Sequence, residues 1–321
     1  MRTRTRVKST RGVVRARRAA ARIGPNGGPS LPHPSVWRQV SATVSSHRDV
    51  GAGHRWLDLE LPDGFALPVA GQFVQLLLEP PAPVLLPRPM SVAGVRRGAR
   101  GPVLGFLYEP VGAGTHALAA LGEGAPVGVL GPLGRGFPTD VPGTPVLVAG
   151  GRGVAPLLFA ADVFRARGRR CEFLFGARDV GRLVGLAEAR RRLDRLGGRL
   201  HLATDDGSRG FHGTVVELLD EIAAQIPAPL VLHACGPHAM LAGVARWGLR
   251  AGAPTFVAME SVMACGTGVC RGCPLPRSDS ARARLRRERL PSLYGPPEFA
   301  MCCTDGPVFA AGDLDWARIE S

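Results

Sequence analysis

The chain lacks long apolar runs and has few aromatic residues, and each shortage excludes a class of function. No segment approaches about 18 consecutive apolar residues, so the sequence predicts no membrane span. Aromatic side chains make up only 6% of the 321 residues, which argues against a platform on which nucleic-acid bases stack. The basic N-terminus contains no apolar stretch of the kind found in secretory signals, so we expect a cytoplasmic protein.

Acidic residues are also scarce, but their shortage is local. The net charge is +14, of which residues 1–22 contribute +9 and residues 277–289 contribute +4, which leaves +1 for the rest of the chain. A body this close to neutral does not favour nucleic acid as a partner. We expect residues 1–35, which turn from basic to Gly- and Pro-rich, to be a disordered tail, and the second basic segment to be mobile.

Cysteines are few before residue 260 and clustered after it, which excludes a dispersed disulfide framework. Cys265, Cys270 and Cys273 have the spacing C-x4-C-x2-C, and a fourth thiol follows at Cys302 or Cys303. This is the plant-type ferredoxin spacing for a [2Fe–2S] cluster, and the intervening glycines let the backbone bend closely around it. Two alternatives stay open: free thiols, and a structural zinc site, which more often has two C-x2-C pairs.

Residues 36–141 have the pattern of a small antiparallel β-barrel. Short apolar-rich segments are separated by turn signals, and one helical segment stands among them at Thr115–Leu121. The predicted strands are Val40–Ser45, Trp56–Leu61, Phe73–Leu78, Met90–Val95, Val103–Tyr108 and Val127–Leu130.

Residues 142–257 instead alternate apolar strands with amphipathic helices, as in a doubly wound parallel α/β sheet. The predicted strands are Pro145–Ala149, Cys171–Phe175, Leu200–Ala203 and Leu230–Ala234. The predicted helices are Val154–Arg167, Leu186–Leu196, Val215–Ala224 and His238–Leu249. The remaining residues, 258–321, form a small third region dominated by cysteine, glycine and the second basic segment.

Glycine-rich loops in the first two regions are candidates for binding phosphate groups. Gly150–Gly153 follows an apolar strand and opens a helix, where bare backbone and a helix N-terminus suit a pyrophosphate. It lacks the G-x-G-x-x-G fingerprint, so a purely structural turn is an equal alternative. In the first region Gly112, Gly114 and Thr115 form a second such loop, and Arg88 offers a fixed positive fork for a diphosphate.

Two further turns follow predicted strands of the α/β region, at the edge where such sheets bind ligands. Asp206 lies in the turn at residues 204–208, and Cys235 and Gly236 follow the next strand. The structural alternatives are a plain Asp/Gly turn and a small buried thiol.

Taken in chain order, these motifs resemble one family. They are Arg-Pro-x-Ser, Gly-x-Gly-Thr, Gly-Pro-Leu-Gly-x-Gly-Phe, Gly-Gly-x-Gly-x-x-Pro, Thr-Asp-Asp-Gly-Ser, Cys-Gly-Pro, Met-Ala-Cys-Gly-x-Gly-x-Cys-x-Gly-Cys and Cys-x-Asp-Gly-Pro-Val-Phe. The chain is similar to the electron-transfer subunit of class 1B dihydroorotate dehydrogenase, within the ferredoxin–NADP reductase superfamily, over roughly residues 38–316. The resemblance implies three domains: an FAD-binding barrel, an NAD-binding lobe and a C-terminal [2Fe–2S] domain.

The resemblance also implies cofactor residues and a partner. Those that would hold FAD are Arg88, Pro89, Met90, Ser91, Tyr108, Gly112, Gly114 and Thr115. Those around the nicotinamide nucleotide would be Gly151, Gly153, Asp206, Cys235 and Gly236. The cluster ligands would be Cys265, Cys270, Cys273 and Cys303, with Cys303 preferred to Cys302 because the Asp-Gly-Pro-Val-Phe tail is registered two residues after it. The implied partner is a catalytic subunit that carries FMN and oxidises dihydroorotate to orotate in pyrimidine synthesis.

The chain departs from the family pattern in two places. Residues 274–302 make a longer gap before the last ligand than usual, and Met90 stands where many relatives have an aromatic or β-branched residue beside the flavin. A longer loop costs little closure entropy, so ligation is not threatened. The choice between NAD and NADP stays open, because Arg178 and Arg182 could meet a 2′-phosphate or face solvent.

Two other functions fit parts of the pattern. A reductase component of an oxygenase, sulfite reductase or hydrogenase-linked system would share the FAD and NAD lobes and can carry a cluster. A zinc-stapled, non-catalytic protein would use its basic segments to contact nucleic acid. The near-neutral body and the ordered run of motifs argue against this second alternative.

Overall fold

Two seven-stranded sheets and one two-stranded sheet carry the described chain. The structure is a computed structural model that describes residues 37–79, 84–194, 197–288 and 298–319. The tail predicted at residues 1–35 lies outside the described residues. None of the described helices has both the length and the apolar character that crossing a bilayer requires.

The first sheet is antiparallel and curls into a half-barrel. Its strands are β1 (Arg38–Gly51), β2 (His54–Glu60), β3 (Phe73–Leu77), β4 (Arg88–Ser91), β5 (Gly94–Arg97), β6 (Pro102–Tyr108) and β7 (Pro126–Leu133). Their spatial order is β4-β3-β7-β1-β2-β6-β5. Side chains on the inner face, among them Leu57, Leu59, Val74 and Phe106, form an apolar core. Helix α1 (Ala113–Ala119) lies between β6 and β7, two residues earlier than predicted.

The link between the two edge strands explains the curl. β4 and β5 lie at opposite ends of the strand order, yet only the fully buried Val92 and Ala93 separate them in the chain. The Val92 N–H donates to the Gln72 carbonyl beside β3, and the Ala93 N–H donates to the Gly105 carbonyl of β6. Within the described residues β4 and β5 share no ladder, so the sheet is a half-barrel rather than a closed barrel.

The prediction of one strand at Met90–Val95 is wrong, because β4 and β5 divide this segment. The chain changes its pairing partner in the middle of an apolar run. Val92 and Ala93, which lie at the break between the two strands, are fully buried and apolar. The hydrophobic pattern of the sequence therefore does not reveal the break.

The second sheet confirms the predicted doubly wound α/β region. Its parallel strands are β8 (Thr144–Gly150), β9 (Glu172–Ala177), β10 (Arg199–Thr204), β11 (Phe211–His212), β12 (Leu230–Cys235) and β13 (Thr255–Ala258), in the order β11-β10-β9-β8-β12-β13. The helices are α2 (Val154–Ala166), α3 (Leu186–Asp194), α4 (Val215–Ile222) and α5 (His238–Ala251). All six residues of β12 are buried, as its apolar sequence predicts for a central parallel strand.

The C-terminal region adds one strand to this second sheet. After the two-stranded sheet of β14 (Pro274–Pro276) and β15 (Phe299–Met301), β16 (Val308–Ala310) pairs antiparallel with β13. Helix α7 (Trp316–Ile319) follows. The domain boundaries, drawn at 36–141, 142–257 and 258–321, stay predictions.

The second basic segment is a packed helix, so the expectation of a mobile segment there is wrong. Helix α6 (Asp279–Glu288) buries Ala281 completely, and Arg284 forms an ion pair of 2.8 Å with Asp313. One small apolar residue, Ala281, is enough to pack one face of this helix against the protein, while the arginines around it remain at the surface.

Arg192 joins the half-barrel to the α/β region. From α3, its Nη1 lies 2.8 Å from both the Ala93 carbonyl and Asp162 Oδ2, and its Nε donates to Glu188 at 2.7 Å. The guanidinium also lies 5.6 Å from the Trp56 ring centre. Burial raises the pKa of Asp162, and Arg192 opposes that rise.

We expect Arg192→Ala to lower the free energy of unfolding by about 2 kcal/mol, because it leaves two partly buried carboxyl groups without their cation. Urea unfolding followed by circular dichroism measures the change. Arg191→Ala is the matched control, since Arg191 pairs with the same Glu188 from an exposed position. Equal effects of the two substitutions would contradict a bracing role for Arg192.

Candidate functional site

Arg88, at the start of β4, is held in a cradle that fits an anion. Its Nη2 donates to the Leu86 carbonyl at 2.7 Å, while its buried Nε has no hydrogen-bond partner among the described residues. A Cβ at Gly114 would lie 3.2 Å from the guanidinium, so the glycine leaves the space that Arg88 occupies. An unpaired buried donor on a cation is the arrangement that a diphosphate oxygen would satisfy.

Thr115 organises the loop beside Arg88. Its Oγ1 accepts hydrogen bonds from the Val111 and Gly112 N–H groups at 2.9 and 3.1 Å and donates to the Gly112 carbonyl. The Thr115 side chain therefore caps the start of α1 from within its first turn. At Gly112 a Cβ would meet nothing within 4 Å, so the backbone there faces open space.

One cleft of about 240 Å³ brings all three regions of the chain together. From the half-barrel it is lined by the predicted flavin residues Pro89, Met90, Ser91, Tyr108 and Thr115. From the α/β region it is lined by Arg152, Ala155 and Pro156, and from the C-terminal region by Met259, Glu260, Ser261, Met263 and Pro307. A larger cleft of about 450 Å³, beside Thr144, Glu172 and Arg199, touches none of the predicted cofactor residues.

Tyr108 presents its ring to the cleft with a fixed orientation. Its hydroxyl lies 2.9 Å from His47 Nε2, and His47 Nδ1 lies 2.8 Å from the Leu121 carbonyl. Because a carbonyl oxygen only accepts, His47 Nδ1 is the donor in this contact, and in that tautomer Nε2 accepts a hydrogen bond from the Tyr108 hydroxyl. Burial raises the pKa of Tyr108, so the hydroxyl stays protonated.

The glycine turns after β8 and β12 pack directly on each other. A Cβ at Gly153 would lie 2.0 Å from the Cys235 carbonyl oxygen, and one at Gly236 would lie 3.0 Å from the Gly150 Cα. Gly151 has φ +52°, in the left-handed region that favours glycine. These adjacent strands end at the edge where open α/β sheets bind nucleotides. Burial raises the pKa of Cys235 well above its ordinary value, so this residue is a neutral thiol.

Asp206 lies at the same edge, in the turn after β10. Its Oδ1 accepts hydrogen bonds from the Ser208 hydroxyl at 2.6 Å and the Ser208 N–H at 2.9 Å, and these bonds lower the pKa of Asp206. The Asp206 N–H donates to the Arg178 carbonyl. Arg182, the other cation considered for a 2′-phosphate, forms an ion pair of 3.3 Å with Asp179.

Backbone donors in the loop at residues 265–273 point at cysteine sulfurs. The N–H groups of Thr267 and Cys270 donate to Cys265 Sγ at 3.4 and 3.5 Å, and the Gly272 N–H donates to Cys270 Sγ at 3.4 Å. Partial burial raises the pKa of Cys265, but the Cys270 and Thr267 donors outweigh it and lower the pKa to about 6. Donors of this kind stabilise thiolates, the form in which cysteine binds metals.

The structure brings the third and fourth predicted ligands into contact. Cys273 Sγ lies 3.3 Å from Cys303 Sγ, and this contact lowers the pKa of Cys273 to about 7 and raises that of Cys303. Cys302 points elsewhere: its thiol lies 3.5 Å from the Met259 carbonyl, and burial raises its pKa. Cys270 is exposed. Across the described residues, no three Cys, His, Asp or Glu side chains are grouped closely enough to hold a metal ion. All four predicted ligands are cysteines, the residue type that holds an iron–sulfur cluster.

Sequence reasoning missed several residues of the cleft. Arg152 and Glu109 form an ion pair across it, from the α/β region to the half-barrel. Met259–Ser261 line it directly after β13. The rule that ligands bind where parallel strands end would have found the second group, but our prediction placed that segment at the start of the third region.

Comparison with known proteins agrees with this arrangement. Over 262 residues the chain is 32% identical to the dihydroorotate dehydrogenase B (NAD(+)) electron transfer subunit of Desulforamulus reducens, covering 81% of this chain and 92% of that protein. It is 33% identical to the subunit of the same name from Listeria monocytogenes serovar 1/2a over 254 residues, covering 76% and 86%. No family model matches the chain.

Solved structures show the fold. An NADH-dependent reduced ferredoxin-NADP oxidoreductase superposes with a TM-score of 0.70 at 23% identity, covering 92% of this chain and 93% of that chain. The ferredoxin reductase in carbazole 1,9a-dioxygenase superposes with a TM-score of 0.57 at 19% identity, covering 69% and 68%. The extent of the sequence matches decides the family: this chain belongs to the electron transfer subunits of dihydroorotate dehydrogenase B (NAD(+)).

Proposed function

We propose that this chain transfers electrons between a catalytic, FMN-containing dihydroorotate dehydrogenase subunit and NAD, by way of a [2Fe–2S] cluster and FAD. The observation that carries the proposal is the cleft on which the half-barrel, Arg152 with the first residues of α2, and the C-terminal region converge. Electron transfer needs its centres close together, and this is the place where residues of all three regions meet. The cytoplasmic location stays a prediction.

For FAD, the cradle of Arg88 and Gly114 fits the diphosphate, and Pro89–Ser91 with Tyr108 fit the ring system. The diphosphate assignment is supported by Arg88 Nε, which has no partner among the described residues. The ring assignment is supported by the position of Pro89–Ser91 and Tyr108, which line one cleft. Gly112 and Thr115 keep the intervening loop in place. When bound, FAD can exchange both hydride and single electrons, which is what connects a nicotinamide to a one-electron centre.

For NAD, the packed turns of Gly151, Gly153, Cys235 and Gly236 fit the nucleotide, and Asp206 fits its sugar end. Support comes from their common position at the carboxyl edge of the sheet. The ion pair of Arg182 with Asp179 supports NAD over NADP, because it occupies one of the two cations available for a 2′-phosphate.

For the cluster, Cys265, Cys270, Cys273 and Cys303 form the ligand set that we propose for a small C-terminal [2Fe–2S] domain. The backbone donors to Cys265 and Cys270 and the contact of Cys273 with Cys303 support it. No side chain of this chain is required as a proton donor or acceptor at a substrate. The protein positions the centres, and two of the proposed cluster ligands, Cys273 and Cys303, are buried.

The first test is the composition and colour of the purified protein. We expect about two irons per chain, flavin absorbance and a broad red shoulder that bleaches on reduction. With the FMN-containing partner, dihydroorotate should reduce NAD⁺; without the partner, it should not. Zinc in place of iron would refute the cluster assignment. Reduction of an oxygenase or another acceptor, with no coupling to dihydroorotate, would favour the reductase alternative.

A further inference from the structure

Gln75 is fully buried, and its side-chain amide has no hydrogen-bond partner in the described part of the chain. It lies in the middle of β3, and neither its Nε2 nor its Oε1 has a partner among the described residues. Leaving a buried amide without partners is unfavourable, so such a group calls for an explanation. By contrast, Gln72 on the same segment donates to the Gly134 carbonyl at 2.7 Å and accepts from the Val69 N–H.

The side chain of Gln75 points out of the half-barrel toward the C-terminal region. Val74 and Leu76 belong to the half-barrel core, so the strand alternation places Gln75 on the opposite face, with Phe73. Phe73 belongs to the apolar cluster that contains Cys273 and Cys303. The strand therefore carries an apolar side chain and an amide on the face toward the proposed cluster ligands.

Gly266 shows how close the amide comes to the cysteine loop. A Cβ at Gly266 would lie 2.7 Å from Gln75 Nε2 and 2.9 Å from its Cγ, so any other residue here would force the Gln75 side chain to shift. Gly266 has φ +74° and directly follows Cys265, the first proposed ligand. The amide nitrogen thus sits against the loop that would wrap the cluster.

We propose that the Gln75 amide donates a hydrogen bond to sulfur at the Cys265 side of the cluster. Gln75 is then a positioning residue that makes the reduced cluster more stable, because an N–H donor favours the more negative state. β3 also pairs with β4, where Gln75 stands opposite Pro89 at the flavin cleft. One strand therefore links the two proposed redox sites. This inference rests on the proposed function.

Gln75→Met tests the proposal through the reduction potential of the cluster in the purified chain. Methionine fills a similar volume without a donor. We expect the reduced cluster to become about tenfold less favoured, a fall of about 59 mV for one electron, with iron and FAD contents unchanged. Gln225→Met is the matched control, because Gln225 is exposed and distant in the fold from the cysteine loop. An unchanged potential in Gln75→Met would overturn the proposal.

A second measurement does not depend on how the variant folds. The chain has four glutamines, Gln39, Gln72, Gln75 and Gln225, and all four can be labelled with ¹⁵N in the side chain. Pulsed electron paramagnetic resonance of the reduced wild-type cluster should then show one ¹⁵N coupling. Absence of that coupling, as expected if a buried water is the partner of Gln75, would overturn the proposal even if Gln75→Met fails to assemble its cluster. A wild-type protein without iron would instead refute the proposed function.

Discussion

Replacing Cys303 with serine is expected to remove the iron from the purified protein, whereas replacing Cys302 with serine is expected to leave it. The two residues are adjacent, but only Cys303 lies in contact with Cys273, at 3.3 Å between sulfurs. Cys302 points to the Met259 carbonyl in the buried core. A cluster with three thiolates and a serine is much less stable, so iron should fall from about two atoms per chain to nearly none.

Iron analysis and the red absorbance of the oxidised protein measure this difference, and FAD content serves as the internal control. Both variants should keep FAD, because the cradle of Arg88 and Gly114 is built from a different part of the chain. Iron loss in Cys302→Ser with retention in Cys303→Ser would reverse the ligand assignment. Loss of FAD in a folded Cys303→Ser protein would contradict separate sites for flavin and cluster.

Arg88→Met is expected to weaken FAD binding by about tenfold to 100-fold while the cluster persists. Hydrogen bonds between charged partners contribute about 1.5–3 kcal/mol, and each 1.4 kcal/mol is a factor of ten in affinity. The buried Nε of Arg88 has no partner among the described residues, so a bound diphosphate would gain that donor in full. FAD released by the variant on dilution, measured by its fluorescence, reports the affinity.

Arg97→Met is the matched control for Arg88→Met. Arg97 lies on β5, the other edge of the same sheet, and is exposed. The Arg97→Met variant should bind FAD as the wild type does. Equal loss of FAD in both variants would mean that general positive charge, rather than the Arg88 cradle, holds the flavin. Unfolding curves of both proteins separate a binding defect from a folding defect.

A few contacts join the three regions that line the cleft. Arg192 joins α3 to the link between β4 and β5, and Arg152 pairs with Glu109 across the cleft mouth. The C-terminal segment is tied down as well, because β16 completes the edge of the second sheet and the Arg135 N–H donates to the Gly306 carbonyl. These contacts join the three regions that surround the proposed flavin and cluster sites.

Local features of the amino-acid order were sufficient for much of this protein. The alternation of buried strands and amphipathic helices from Thr144 to Ala251 predicted four of the five strands and all four α-helices to within two residues at each end, because strand and helix periodicities are properties of neighbouring residues; it missed the short β11. The cysteine spacing predicted a cluster-binding loop for a related reason: three ligands within nine residues must come from one loop. The ordered motifs indicated the family, which the relatives confirm.

Tertiary structure alone decided the rest, because the decisive contacts join residues far apart in the chain. The division of Met90–Val95 into two strands follows from pairing with Gln72 and Gly105, which no local pattern encodes. The motif register favoured Cys303 over Cys302, but the contact of Cys303 with Cys273 depends on which side of a turn faces the core. Gln75 is a single polar residue in an otherwise apolar strand. Only its burial and the packing of Gly266 against it reveal an amide without described partners beside the cysteine loop.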